Sequence, residues 1–251
     1  MNWKGKTALV TGAASGMGLL FCRRFAQYGG RVVMIDADRR ALKQKAAEIR
    51  SRHPDQVLEV PCDVRDYAQV EKACQRAVRR FQTVDVLVQF AGGAELRVFS
   101  IADQEFPDVP MDVYDWSIDV NLRGVLYFDH AVMGIMRKDR KGVIIHVGSV
   151  TGEEGSKSNC AYAASKSAVM NGLTKSMALY GAQYGIRCNC VTPGPVLTRT
   201  DMSHMKTLVG RAARPQEIVD LIFYLISDKA QYVTGDNIVI DGGRHVLKNK
   251  Q

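Results

Sequence analysis

Tyr162 and Lys166 stand four residues apart in the stretch YAASK, 162–166. On a helix that spacing puts both side chains on one face, one turn apart. An ammonium beside a phenol favours the phenolate, so the pair could exchange a proton. Alone, the same five residues would also suit a surface helix with a half-buried tyrosine and a solvated lysine. A second constellation lies at the other end of the chain. Gly12, Gly16 and Gly18 in TGAASGMG, 11–18, follow the short apolar run TALVT. A tight glycine turn between a strand and a helix aims the helix N-terminus, with its free N–H groups, at an anion such as a pyrophosphate. Asp36 ends the next apolar run, RVVMID. A carboxylate there accepts from both hydroxyls of an adenosine ribose and repels a 2′-phosphate, so NAD is expected over NADP. Arg39 and Arg40 lie nearby but are set back where the next helix begins, and no Lys or Arg interrupts the glycine turn. Asp63 could cap the adenine amine, or it could instead be the N-cap of the helix that starts near 66.

These residues need elements that hold them. Strand-like runs at 7–12, 31–36, 56–64, 84–92, 142–149, 186–194 and 236–243 alternate with amphipathic stretches at 16–30, 38–53, 66–81, 111–139, 161–184 and 214–227. In the first helix Leu19, Leu20, Phe25 and Ala26 should face inward, and Arg23, Arg24 and Gln27 outward. Alternating strands and helices imply right-handed crossovers and a parallel sheet covered on both faces. The expected fold is α/β: a single-domain, Rossmann-type, doubly wound sheet spanning 1–251, without linker or internal repeat.

Composition narrows the function. The chain carries 46% hydrophobic and 24% charged residues, ordinary values for one globular domain. No apolar run approaches the roughly 20 residues of a membrane helix, and the N-terminus lacks an apolar signal core, so a cytoplasmic protein is expected. The net charge is +8, but the basic residues are spread out with no aromatic-interleaved stripe, which argues against nucleic acid. The six cysteines form no CxxC pair, and Cys188 and Cys190 are taken as small core residues in a reducing compartment. The five histidines have no HxxxH or HxH spacing, so no metal site is expected.

The glycine spacing, the Tyr-x3-Lys pair and Ser149, thirteen residues before Tyr162, fall together with DV at 63–64, VNLRG at 120–124, VGSVTG at 147–152, NCVTPG at 189–194 and VTGDNIVIDGG at 233–243. In this order they resemble the short-chain dehydrogenase/reductase family over essentially the whole chain. The resemblance implies a catalytic tetrad of Asn121, Ser149, Tyr162 and Lys166. Tyr162 would be the general acid/base for hydride transfer between an alcohol and NAD. Ser149 would hold the substrate oxygen, Lys166 the nicotinamide ribose as well as the phenolate, and Asn121 a water in a proton relay. The cofactor would lie along Gly12, Ser15, Gly16, Met17, Gly18, Asp36, Asp63, Val64, Ala91, Gly92, Pro193 and Gly194. Val196 and Thr198 would grip its carboxamide. The chain departs from the family at Gln89-Phe90-Ala91-Gly92, where Asn-Asn-Ala-Gly is usual, so local support of the sheet must differ. His146 stands where an Asn is common and is taken as a satisfied core histidine.

Two segments should shape the substrate pocket: 93–115, which looks long for the family, and 195–212, which looks short for its flexible lid. Thr151 and Pro195 are candidate substrate contacts. Glu95, Glu153, Glu154 and Lys157 could line an open cleft suited to a polar, hydroxyl-bearing substrate, or could simply be solvated. The leading expectation is an NAD-dependent alcohol dehydrogenase or ketone reductase acting on a small molecule. An NADPH-dependent 3-oxoacyl-carrier-protein reductase is opposed by Asp36 and by Lys175 being the only basic residue in 167–184 able to dock an acidic carrier. A non-catalytic dinucleotide sensor is opposed by the intact tetrad. A homotetramer is expected, because Val125, Leu126, Met133, Met136, Val169, Leu173 and Met177 give the two long helices more apolar surface than one sheet face should bury. The apolar strand at 237–241 would support a second axis.

Overall fold

The computed structural model describes residues 1–101, 104–198 and 200–247. Seven parallel strands form one sheet: β1 (Thr7–Thr11), β2 (Arg31–Asp36), β3 (Val57–Pro61), β4 (Val86–Gln89), β5 (Gly142–Val147), β6 (Ile186–Pro193) and β7 (Asn237–Ile240). Their spatial order is β3-β2-β1-β4-β5-β6-β7. The chain therefore starts in the middle, builds outward to β3, and returns to lay β4 against the free side of β1. That reversal opens a crevice beyond the C-terminal ends of β1 and β4, where doubly wound sheets bind ligands.

Strand alternation sends successive side chains to opposite faces. Ala8 and Val10 of β1 join one core with α1 (Gly16–Gln27), α2 (Arg39–Arg50) and α10 (Pro215–Ile226), where Phe21, Phe25 and Phe223 stack. Leu9, Val33, Leu87 and Ile144 join the other, under α3 (Tyr67–Phe81), α6 (Gly124–Asp139) and α9 (Thr174–Ala182). In α1, Leu19, Phe25 and Ala26 face inward as expected, with Leu20 half-buried. Phe21 and Cys22, absent from that expectation, are fully buried. Asp38 caps α2, accepting from Ala41 N at 2.9 Å. Asp66, not Asp63, caps α3.

The long helical stretches are not continuous. A single π-helical turn, Asp119–Arg123, separates α5 (Met111–Ile118) from α6. Another, Val169–Leu173, separates α8 (Cys160–Ala168) from α9. Such bulges cost regular bonding and concentrate at functional sites. Residues 93–101 carry the short helix α4 (Glu95–Phe99), and residues 104–115 a 3₁₀ turn at Phe106–Asp108 and the start of α5. They are held by a third apolar cluster in which Leu96, Val109, Val113 and Tyr114 meet Ala161 of α8.

The subunit buries Val125, Met133, Met136 and Val169 itself, and half-buries Leu173 and Met177, so the apolar surplus expected for these helices is smaller than their composition implies. The exposed large apolar residues there are Met111, Ile118, Leu126, Leu179 and Tyr180. Among the described residues no helix is long and apolar enough to cross a membrane. Nor does any group of three His, Cys, Asp or Glu side chains converge as metal ligands.

Candidate active site

A cleft of about 820 Å³ occupies the crevice between β1 and β4. Every residue assigned to the cofactor lines it, from Gly12 to Thr198. The three glycines are there for different reasons. Gly12, at φ +65°, packs so closely on the next loop that a Cβ would sit 2.8 Å from Ala91 N. A Cβ at Gly18 would overlap the Gly12 carbonyl. Gly16, at φ +52°, alone of the three has open space where a Cβ would go, with nothing nearer than the Thr198 methyl at 3.8 Å. Gly12 and Gly18 thus shape the turn, and Gly16 leaves room for what the turn holds. Ser15, the N-cap of α1, makes no side-chain cap, so the first N–H groups of α1 are left to the cleft.

Asp36 closes the far end. Its Oδ2 accepts from Ala14 N at 3.0 Å and its Oδ1 from Asp38 N at 3.1 Å, which fixes the carboxylate while leaving each oxygen a lone pair. Asp63 is gripped by Arg65, with Arg65 Nη2 donating at 2.6 Å and Nε at 3.0 and 3.1 Å. Those bonds hold the Asp63 carboxyl below its ordinary range despite partial burial. Arg65, which also lines the cleft, went unnoticed in the sequence.

Ser149, Tyr162 and Lys166 meet at the other end of the cleft. Lys166 is buried, donates to the Val147 carbonyl at 2.8 Å, and lies 5.7 Å from the Tyr162 ring centre. Two of its three N–H donors remain for the cleft. Ser149 Oγ accepts from Thr151 N at 3.2 Å as N-cap of α7 (Val150–Glu154), and its hydroxyl hydrogen is left to point outward. Asn121 lies deeper. Its side chain is buried off the cleft wall, with Oδ1 accepting from Gly93 N at 3.0 Å and Nδ2 donating to the carbonyls of Gly93 and Ser117 at 2.9 Å each. That amide ties the Gly92–Gly93 turn to the π-helical turn.

Of the candidate substrate contacts, Thr151 and Pro195 line the cleft, but Glu95 and Glu153 do not. Glu95 is wholly buried, because the N-terminus of α8 needs an acceptor and Glu95 supplies it, taking Ala161 N at 3.0 Å. Glu153 is exposed and accepts from Asn237 Nδ2 at 3.3 Å. Glu154 pairs with Arg244 at 3.1 Å, and Lys157 is exposed outside the cleft. Trp116, Met202, Met205 and Arg97 line the cleft as well. Trp116 and Arg97 come from the long segment and its helix, and Met202 and Met205 from the lid. The bridge Val196–Ala213 pins the base of the lid. A Cβ at Gly93 would lie 3.1 Å from Arg97 Nη2 and 3.7 Å from the Trp116 ring. Nothing in the local sequence marks these four, since only the closure of both loops over the cleft brings them together.

Comparison with known proteins agrees with this geometry. The family model described as enoyl-(acyl carrier protein) reductase matches residues 12–245. The trans-4-hydroxycyclohexanecarboxylate dehydrogenase of Sinomonas cyclohexanicum is 39% identical over 97% of this chain and 94% of its own. The 3-oxoacyl-(acyl-carrier-protein) reductase of Thermotoga maritima is 35% identical over 97% of this chain and 99% of its own. The crystal structure of an NAD⁺-bound xylitol dehydrogenase superposes with a TM-score of 0.87 at 26% identity, covering 97% of this chain and all of that one. With a glycine turn at one end of the cleft, a Ser-Tyr-Lys group at the other, and relatives matching along nearly its full length, this chain belongs to the short-chain dehydrogenase/reductase family and is an oxidoreductase that acts on CH–OH groups with NAD or NADP.

Proposed function

We propose that this enzyme interconverts a secondary alcohol and a ketone with NAD(H) in preference to NADP(H), using Tyr162 as general acid/base. The observation that carries this reading is a single cleft with the Tyr162–Lys166 pair at one end and the Asp36 carboxylate at the other. The residues fit a dinucleotide: an uncapped helix N-terminus for the pyrophosphate, and an open face at Gly16 that a side chain would fill. Nicotinamide, when bound, accepts or supplies the hydride. Tyr162 takes the hydroxyl proton on oxidation and returns it to the carbonyl on reduction. Lys166 stabilises the phenolate by its charge, and Ser149 donates to the substrate oxygen as its negative charge develops. Asp36 favours NAD because a 2′-phosphate would face a carboxylate, and Arg39 and Arg40 do not line the cleft.

For the substrate, we favour a cyclic secondary alcohol that carries a carboxylate. Trp116, Met202 and Met205 provide an apolar wall for a ring. Arg97 and Lys166 are the formal charges at that end among the described lining residues, and a guanidinium matches a carboxylate. The likeness to a hydroxycyclohexanecarboxylate dehydrogenase points the same way. Nicotinamide absorbance, followed with trans-4-hydroxycyclohexanecarboxylate, its methyl ester and cyclohexanol, each with NAD⁺ and NADP⁺, tests both parts. Equal kcat/KM for acid and ester would remove the carboxylate, and equal use of both cofactors would remove the NAD preference. We also propose a tetramer, with Leu126, Ile118, Leu179 and Tyr180 covered at one interface and the edge strand β7 at another. A stable monomer at micromolar concentration by light scattering would contradict it.

A further inference from the structure

We infer that Glu95 and Ser117 form a buried positioning clamp that sets Tyr162 against the rest of the site. The inference rests on Tyr162 being the acid/base group, as proposed above. Helix α8 carries both Tyr162 and Lys166, yet its N-cap residue, Asn159, gives its own helix no side-chain bond. The orphan N–H groups of that end are met from more than sixty residues away. Ala161 N donates to Glu95 Oε1 at 3.0 Å, and Tyr162 N donates to Oε1 at 3.3 Å and Oε2 at 3.1 Å. Asn159 Oδ1 in return accepts from Leu96 N at 3.2 Å, so α4 and α8 are locked in both directions.

The other end of the clamp reaches the π-helical turn. Ser117 Oγ donates to Glu95 Oε2 at 2.8 Å, and Asn121 Nδ2 donates to Ser117 Oγ at 3.3 Å. A continuous line of bonds therefore runs from the amide of Asn121, through Ser117 and Glu95, to the main chain of Tyr162. Both Glu95 and Ser117 are shielded completely from solvent. Every partner of Glu95 is a donor, the pattern that suits an acceptor-only carboxylate. In water-free surroundings such charge-assisted bonds are short and strong, and no solvent molecule can replace one that is lost. Glu95 touches neither the cleft nor the phenol ring, so it acts through the backbone of α8. Its effect is on where the phenol stands, which matters because a displacement of about 1 Å can cost about a hundredfold in rate.

Glu95→Gln keeps one acceptor oxygen but turns an NH2 toward donors, Glu95→Ala removes the clamp, and Ser117→Ala cuts its link to Asn121. The variants are assayed well below their melting temperatures, with trans-4-hydroxycyclohexanecarboxylate or cyclohexanol and NAD⁺. For Glu95→Ala, kcat should fall roughly 10–100-fold while KM for alcohol and affinity for NAD⁺ change by less than about threefold. Glu95→Gln should be intermediate. The main-chain amides of Ala161 and Tyr162 should exchange with deuterium at least about tenfold faster, while those of β1 and β4 keep wild-type protection. Ser117→Ala and Glu95→Ala combined should lose much less than the product of the single losses, because they break one line of bonds. If Glu95→Ala melts too low to assay, Glu95→Gln and Ser117→Ala carry the same comparison. A lower melting temperature with kcat within about threefold of wild type would reduce Glu95 to a structural residue and overturn the clamp. So would multiplicative losses in the double variant. Exchange at Ala161 and Tyr162 is measured without substrate, so the clamp can fail while Tyr162 remains the acid/base, and the reverse can also occur.

Discussion

Replacing His146 by leucine should destabilise the enzyme severely without touching its cleft. His146 sits at the end of β5, fully buried, in a polar chain that also includes Gln89, Asp129 and Thr174. Thr174 Oγ1 donates its own hydrogen to the Val169 carbonyl at 2.7 Å, so His146 Nδ1, 2.8 Å away, must be the donor to that hydroxyl. His146 Nε2 then faces both oxygens of Asp129, at 3.0 and 3.1 Å, and shares one proton with that carboxylate. Gln89 Nε2 donates to Asp129 Oδ1 at 2.7 Å. His146→Leu leaves Asp129 buried with Gln89 alone. Breaking one side of a buried pair costs about 3–5 kcal/mol. For a domain of this size, at about 2–4 °C per kcal/mol, that is a drop in Tm of roughly 6–20 °C. Asp129→Leu should cost a similar amount, because it strands the imidazole. The double variant should recover part of the loss, with a coupling energy of about 2–3 kcal/mol in urea unfolding. A single-variant loss under about 1 kcal/mol, or strict additivity, would refute the shared-proton network.

Asp36→Ala combined with Ala37→Arg should move the ratio of kcat/KM for NADP⁺ over NAD⁺ upward about 10–100-fold, the worth of one repulsion removed and one charge-assisted bond gained; an unchanged ratio in steady-state assays contradicts the role of Asp36. Five of the six cysteines are buried, and burial pushes Cys62 and Cys74 up to about 12 and Cys190 to about 11, so a thiol reagent at pH 8 should label only the half-buried Cys160 quickly, with the other five following on unfolding. Arg65 holds Asp63 below its ordinary range, so the unfolded chain takes up that proton first. The contribution is complete above the ordinary carboxylate range and is lost as pH falls through the depressed folded value. Arg65→Ala should therefore narrow the gap in stability between pH 7 and pH 3, by under about 1 kcal/mol because the pair is partly solvated, and an unchanged gap in urea midpoints would contradict it.

The frame, and the residues that line the cleft at the strand ends, were legible because local rules decide them. An apolar run, a glycine turn and an amphipathic helix in repeated order leave little choice but a parallel sheet, and the residues assigned to the cofactor sit at strand ends that the order of strands brings together. Glu95 was misread for a physical reason: a carboxylate in a long polar segment is ordinarily solvated, and only the tertiary approach of α8 makes it a helix cap. Asn121 was identified, but its partners Gly93 and Ser117 depend on a π-helical turn that no residue type announces. Gln89 and His146 stood out as departures, yet nothing local pairs them with Asp129, forty residues from Gln89 in the chain. Val125, Met133, Met136 and Val169 were expected to leave surplus apolar surface because the burial capacity of a single chain was underestimated, and the chain buries all four itself.

The central claim is that Tyr162 moves the proton, and Tyr162→Phe tests it most directly. The substitution deletes one hydroxyl from a half-buried ring at the cleft wall, so Tm and the affinity for NAD⁺, measured by thermal shift and fluorescence titration, should stay at wild-type values. Turnover of the alcohol substrate should fall by about 10²–10⁴. Near-normal kcat in a folded, NAD⁺-binding Tyr162→Phe enzyme would contradict the mechanism.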